Sequence, residues 1–159
     1  MNLTITPHIM RLAVALAAGV SAMLIASTAC AQLGGTMPAT PRAGSAAVAN
    51  HMADASIRIR AWTDEGGTKI HEYATGDGLI FAYTWEGPTM PNLDGLLGRY
   101  SASYRAKAAE LAGARNSLHA SRVAQPDLIV DSGGQMRSYV GRAWLPTVIP
   151  PGISPADLQ

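Results

Sequence analysis

The chain has 159 residues, 48% of them hydrophobic and 14% charged, with one cysteine and a formal net charge of +1. That is enough for one domain with a core of its own, and too little for two. The near-neutral balance lacks the basic footprint of a nucleic-acid binder and offers no electrostatic attraction to a membrane surface.

Residues 1–31 have the pattern of a signal peptide. A short n-region carries Arg11, and an apolar run from Leu12 to Ala26 follows. Ala29 and Ala31 then stand at the −3 and −1 positions of an A-x-A cleavage site. The run is about 15 residues long, short of the roughly 20 that span a bilayer, so no stable membrane insertion is expected after cleavage. Cys30 offers a lesser alternative, lipidation, but Ser27 occupies the position where a lipoprotein signal usually has Leu. Cleavage after Ala31 removes the only cysteine and leaves basic and acidic residues in balance. The product is a periplasmic or extracellular protein held together by its core alone.

Residues 32–54 are rich in Ala, Gly, Pro and Thr and read as a flexible leader. Ser56 to Trp62 alternates, with Ile57, Ile59 and Ala61 on one face and Arg58, Arg60 and Trp62 on the other; that is the period of a half-buried strand. Asp64 to Gly67 is turn chemistry, and Thr68 to Thr75 completes a hairpin. After Gly76-Asp77-Gly78 comes Leu79 to Trp85, with Leu79, Phe81, Tyr83 and Trp85 on one face and Ile80, Ala82 and Thr84 on the other; both are largely apolar, which places the strand centrally in the sheet. Pro88 and Pro91 end that strand. Asn92 is suited to cap a helix, and Asp94 suits its first turn. Leu93, Leu96, Leu97, Tyr100, Tyr104, Ala108 and Leu111 recur at spacings of three and four as one apolar stripe. Gly95, Gly98 and Ala102 form a second, small-residue stripe, and its two glycines predict that another backbone passes close.

Asp127 to Asp131 reads as a fourth strand, Ser132 to Gln135 as a turn, and Met136 to Trp144 as a fifth strand with a bulge at Gly141. The Pro-rich tail, 147–159, reads as extended. The whole predicts an α+β domain over 55–146: a mostly antiparallel sheet of about five strands in the order βββ-α-ββ, with one amphipathic helix packed on one face.

Several short motifs follow one another along the chain. They are Leu33-Gly34-Gly35, Glu72-Tyr73, Phe81-Ala82, Trp85-x-Gly87-Pro88, Pro91-x-Leu93 and Leu96-Leu97-Gly98-x-Tyr100. Ser132-Gly133-Gly134-x-Met136-Arg137 and Gly141-Arg142-Ala143 follow. With them the chain resembles a family of small exported bacterial proteins catalogued as domain-of-unknown-function family 2844. The resemblance implies export and a single domain, and assigns no catalytic residue.

The residues themselves suggest no cofactor and no metal site. His51, His71 and His119 show no ligand spacing, and no G-x-S-x-G elbow is present. Ser132 on a Gly-flanked turn is a candidate nucleophile only if a histidine reaches it. Gly133 and Gly134 form a candidate anion nest, with Arg137 and Arg142 close behind. In a regular strand those arginines point to opposite faces, so only a bulge at Gly141 unites them. A non-enzymatic module that binds another exported protein or a surface polymer remains, with a carrier of a small anionic ligand and a serine hydrolase as alternatives. The candidate binding residues are Trp85, Ser132, Gly133, Gly134, Arg137 and Arg142. They rest on the expectation that the elbow after Trp85 and the turn at Ser132 border one surface. Oligomeric state is not legible in the sequence.

Overall fold

A computed structural model describes residues 31–39, 46–52, 55–112 and 120–158, with side chains for all but 46–52, 55 and 56. The signal-peptide segment up to Cys30, and His119, lie outside the described residues.

The fold is α+β, built on an antiparallel sheet. Its strands are β1 (Ala46–Met52), β2 (Ala55–Thr63), β3 (Lys69–Thr75), β4 (Ile80–Gly87), β5 (Ala120–Ala124), β6 (Ile129–Gln135) and β7 (Ser138–Trp144). Their spatial order is β1-β2-β3-β4-β7-β6-β5. Four strands meander out to β4, the helical segment crosses over, and three more return so that β7 pairs with β4. The expected count of about five strands falls short by two, and both additions are edge strands. β1 arises in the Ala-rich leader and pairs along its length with β2. β5 arises in a polar stretch and pairs with β6. The strand expected to be central, β4, is the fourth of seven.

Between Tyr73 and Ala74 the β3–β4 register shifts by one residue, leaving Phe81 unpaired in a bulge. The alternation therefore breaks there. Tyr83 and Trp85 join Ile80 in one core cluster, while Phe81 joins Ala82 and Tyr73 in the other. Strict period-two counting had put Phe81 with Tyr83.

Each face has its own cover. Over the first lies the segment from Ala31 to Met37, with Leu33 and Met37 buried. It is stitched to the turn before β4 by backbone bonds from Gly34 N to Ile80 O (2.9 Å), Ile80 N to Gly35 O (2.9 Å) and Met37 N to Gly78 O (2.8 Å). These residues are thus part of the core and no flexible leader.

The helical segment covers the same face, but not as one helix. Asn92 caps α1 (Leu93–Leu97), its side chain accepting from Gly95 N at 3.1 Å. Gly98 then takes φ +53° and opens a 3-10 turn (Gly98–Tyr100), before α2 (Ser101–Ala112) begins. The neighbour at Gly98 is a side chain and not the backbone expected there: a Cβ would lie 2.4 Å from Gln32 Oε1. Leu96 and Leu97 are buried, Tyr100 and Tyr104 are half-buried against the same cluster, and α2 buries no residue fully.

The tail covers the second face. Ile153 and Leu158 are buried there beside Tyr73, Phe81 and Trp144. Its end is shaped by a capping box, Ser154 N donating to Asp157 Oδ2 at 2.8 Å and Ala156 N to Ser154 Oγ at 3.2 Å. The tail is therefore a packed lid on the sheet, with only its prolines behaving as composition suggested.

Candidate functional site

The register spreads the candidate residues over three places. Trp85 and Ser132 both oppose Gly141, from β4 and β6, and so share the helix-covered face. Trp85 is 2% exposed. Its ring lies over Gly141, where a Cβ would sit 2.4 Å from Cζ2 and 2.6 Å from the Asp131 carbonyl oxygen. The pairing runs unbroken through Gly141, so this glycine marks a slot for Trp85 and no bulge. Gly141→Ala is expected to cost about 1–3 kcal/mol through overpacking. Denaturation followed by tryptophan fluorescence checks this, since the indole must move.

Ser132, Gly133 and Gly134 lie inside β6 and do not turn the chain. Gly134 opposes Tyr139 and makes room for it, since a Cβ would meet Tyr139 Cδ1 at 2.7 Å. The hairpin turns two residues later, at Met136 (φ 38°) and Arg137 (φ 67°). Both residues are left-handed and neither is glycine, which is the backbone of a type I′ turn built from unfavourable residue types. The glycines attracted the turn in a sequence reading because they supply that backbone most easily. Here Gly134 makes room for Tyr139 instead.

Arg142 lies on the tail-covered face. It is 3.4 Å from Asp131 Oδ2, donates to Pro155 O at 2.7 Å and stacks 5.4 Å from the Trp144 ring centroid. Arg122 reaches the same carboxylate at 3.0 Å and the same ring at 5.8 Å. The union of Arg137 with Arg142 that a bulge at Gly141 would have allowed does not occur, because the strand between them is regular. Ser132 and His71 lie on opposite faces, His71 being opposite Thr84 in the row that also holds Arg142. Among the described residues no group of three or more His, Cys, Asp or Glu could hold a metal ion.

What the register does unite is the elbow and the hairpin. Gly87 pairs with Tyr139 and Glu86 with Val140, so the end of β4 borders the β6–β7 tip. The elbow is tied in turn to the β2–β3 turn. Thr68 Oγ1 donates to Thr89 O at 2.6 Å, and Thr89 Oγ1 to Gly66 O at 3.3 Å. This end of the sheet carries the large exposed apolar side chains of the described residues: Met90, Val140 and Met136, the last 98% exposed.

A second constellation escaped the sequence reading. Arg60, Glu72 and Tyr83 stand side by side on β2, β3 and β4. All three are buried beneath the N-terminal segment. Arg60 Nη1 is 3.7 Å from Glu72 Oε1, and Arg60 Nη2 donates to Pro38 O at 2.5 Å. Tyr83 Oη lies 2.8 Å from Glu72 Oε2 and 3.0 Å from Ala31 O. Alternation had placed Arg60 and Trp62 on a solvent face, yet Trp62 packs edge-on against Tyr83 at 6.3 Å. Counting back from the Asp64–Gly67 turn sets Arg60 opposite Glu72, and that pairing was the available signal.

The family described as "Protein of unknown function (DUF2844)" matches residues 29–158. The chain belongs to this family. The DUF2844 match spans the N-terminal cover, all seven strands, the helices and the tail as far as Leu158, which is the unit that closes the core. No curated protein and no solved structure matches the chain.

Proposed function

We propose that the chain is an exported, non-enzymatic module of the bacterial envelope that binds another exported protein through the open end of its sheet. Export rests on the apolar run and the A-x-A site before Gln32. The observation that carries the binding reading is the hairpin tip. Two successive non-glycine residues hold positive φ there, and Met136 projects fully into solvent. Each such residue costs on the order of 1 kcal/mol, and strain of this kind concentrates at sites of recognition. Met136 supplies an adaptable apolar contact and Arg137 a forked cation beside it, with Val140 and Met90 extending the apolar area.

A protein partner with an apolar spot and a carboxylate suits that surface. Gly133 and Gly134 lie inside β6 and Arg142 is engaged by Asp131 and the tail, so the anion-carrier reading loses its nest and one of its two arginines. Ser132 lies in a strand with His71 on the other face, so the hydrolase reading loses that histidine as its base.

Met136→Asn with Arg137→Gly suits the turn's backbone and is expected to stabilise the domain by about 1–2 kcal/mol in denaturant unfolding. The same variant is expected to lose its partner. A photo-crosslinking residue at position 136, displayed in the native envelope, should give a discrete protein adduct. The same residue at position 105 on α2 should give none. No adduct from position 136, adducts equal at both positions, or an adduct that is a polymer sinks the reading.

A further inference from the structure

Tyr83 carries one hydroxyl hydrogen, and among the described residues it faces the acceptors Ala31 O at 3.0 Å and Glu72 Oε2 at 2.8 Å. One proton serves one of them at a time, so the two compete for it. The competitor on the outer side is the carbonyl oxygen of the peptide bond at which the A-x-A pattern places cleavage. The next nitrogen, that of Gln32, is bonded to that carbonyl carbon and so stands immediately beyond the contested oxygen.

The geometry around Gln32 holds that nitrogen in place. Its carbonyl accepts from Gly35 N at 2.8 Å, and the following Leu33 N donates to Leu96 O at 2.8 Å. Its side chain fills the space that a Cβ on Gly98 would need, and Gly98 adopts φ +53° beside it. Gln32 is exposed while Ala31 is half-buried, so the peptide bond lies where the core meets solvent, with Tyr83 Oη 3.0 Å from its carbonyl oxygen.

We propose that cleavage between Ala31 and Gln32 builds a docking site for the α-ammonium group it releases. The inference rests on the export reading above, because an export-leader peptidase is what hydrolyses this bond. Water adds at the Ala31 carbonyl and the C–N bond breaks. Ala31 departs as a carboxylate with the leader, and Gln32 keeps the nitrogen as an ammonium. The carbonyl acceptor is thereby replaced by a donor. The ammonium donates to Tyr83 Oη, and the Tyr83 proton is then committed to Glu72. The row Arg60–Glu72–Tyr83 thus gains a bond at its open end, and processing tightens the N-terminal cover that carries Leu33 and Met37.

A second consequence concerns the chemistry of the new terminus. An N-terminal glutamine ordinarily cyclises when its free amine attacks its own side-chain amide carbon and expels ammonia. A protonated amine held on Tyr83, with the side chain packed against Gly98, is set against that reaction.

Residues 32–159 contain every described strand, the tail and the buried Leu33 and Met37 of the N-terminal cover, so the test compares three chains that start at or beside Gln32. One begins at Gln32 with a free amine, one at Gln32 with an acetylated amine, and one at Ala31. The free-amine Gln32 chain is expected to melt about 4 °C above both others, and the gap should close in a Tyr83→Phe background. Three chains melting together, or a gap that persists in Tyr83→Phe, overturns the proposal. If Tyr83→Phe does not fold, acylation of the α-amine followed by mass spectrometry decides. The Gln32 amine should react several-fold more slowly than the Ala31 amine, and should lose no ammonia on storage; equal rates overturn the docking. Mass spectrometry of the N-terminus after export of the full chain tests the underlying reading separately. A mature start other than Gln32 overturns the processing step, and an intact unexported chain overturns export itself.

Discussion

Glu72→Leu is expected to destabilise the domain by about 3–5 kcal/mol, a large share of the 5–15 kcal/mol available to a typical domain. Glu72 is fully buried and its neighbour Arg60 is 4% exposed. Removing the carboxylate leaves the Arg60 guanidinium buried under the N-terminal segment, where its Nη2 donates to Pro38 O. A buried cation without its counter-charge costs far more than the pair contributes, because the pair has already offset most of its own desolvation. The double variant Arg60→Met/Glu72→Leu is therefore expected to return to within about 1 kcal/mol of wild type. Urea unfolding of the two single variants and the double variant closes the cycle. Additive losses, with the double variant the least stable, would show that the two charges do not depend on one another.

The same row shows where sequence and structure part. The alternation of β2 was legible, and so was its pairing with β3. The burial of its polar side was not. Period two tells which residues share a face, and it is silent on whether that face meets solvent or a covering segment. The cover here is the Leu33–Met37 stretch, whose composition resembles a linker. Two large apolar residues among Gly, Thr and Pro suffice because backbone bonds to Leu96, Ile80 and Gly78 carry the rest. The tail follows the same logic, with Ile153 and Leu158 as its anchors between prolines.

The edge strands were missed for a different reason. An edge strand is held by a ladder on one side and needs little inward apolar area. In β5 only Val123 is buried, so no alternation announces it. Phe81 was misassigned because a bulge resets the period. At the candidate site the adjacency of elbow and hairpin was legible from the strand order. The true turn was not, since nothing in Met136-Arg137 advertises a left-handed backbone, and the glycines two residues earlier do.

Leu97→Ala is expected to cost about 2–5 kcal/mol, read by urea unfolding. Leu97 is fully buried in the cluster that includes Leu33, Leu96 and Tyr83. It is the last residue of α1, immediately before the Gly98 break, so the surrounding backbone is fixed by Gln32 and Leu33 and closes poorly around a cavity. A single continuous helix would make Leu111 a comparable anchor on the same stripe. The break separates them: α1 is pressed into the core, while α2 buries no residue fully. Leu111→Ala is therefore expected to cost less than about 1 kcal/mol. Arg105→Ala, which loses an ion pair to Asp94 at 3.5 Å between two exposed side chains, is expected to fall within about 0.5 kcal/mol of wild type. Equal losses at Leu97 and Leu111 would restore the continuous helix. A steep fall at Leu97 with a shallow one at Leu111 places the structural role of the segment in its first five residues, and leaves α2 as an outer surface of the sheet.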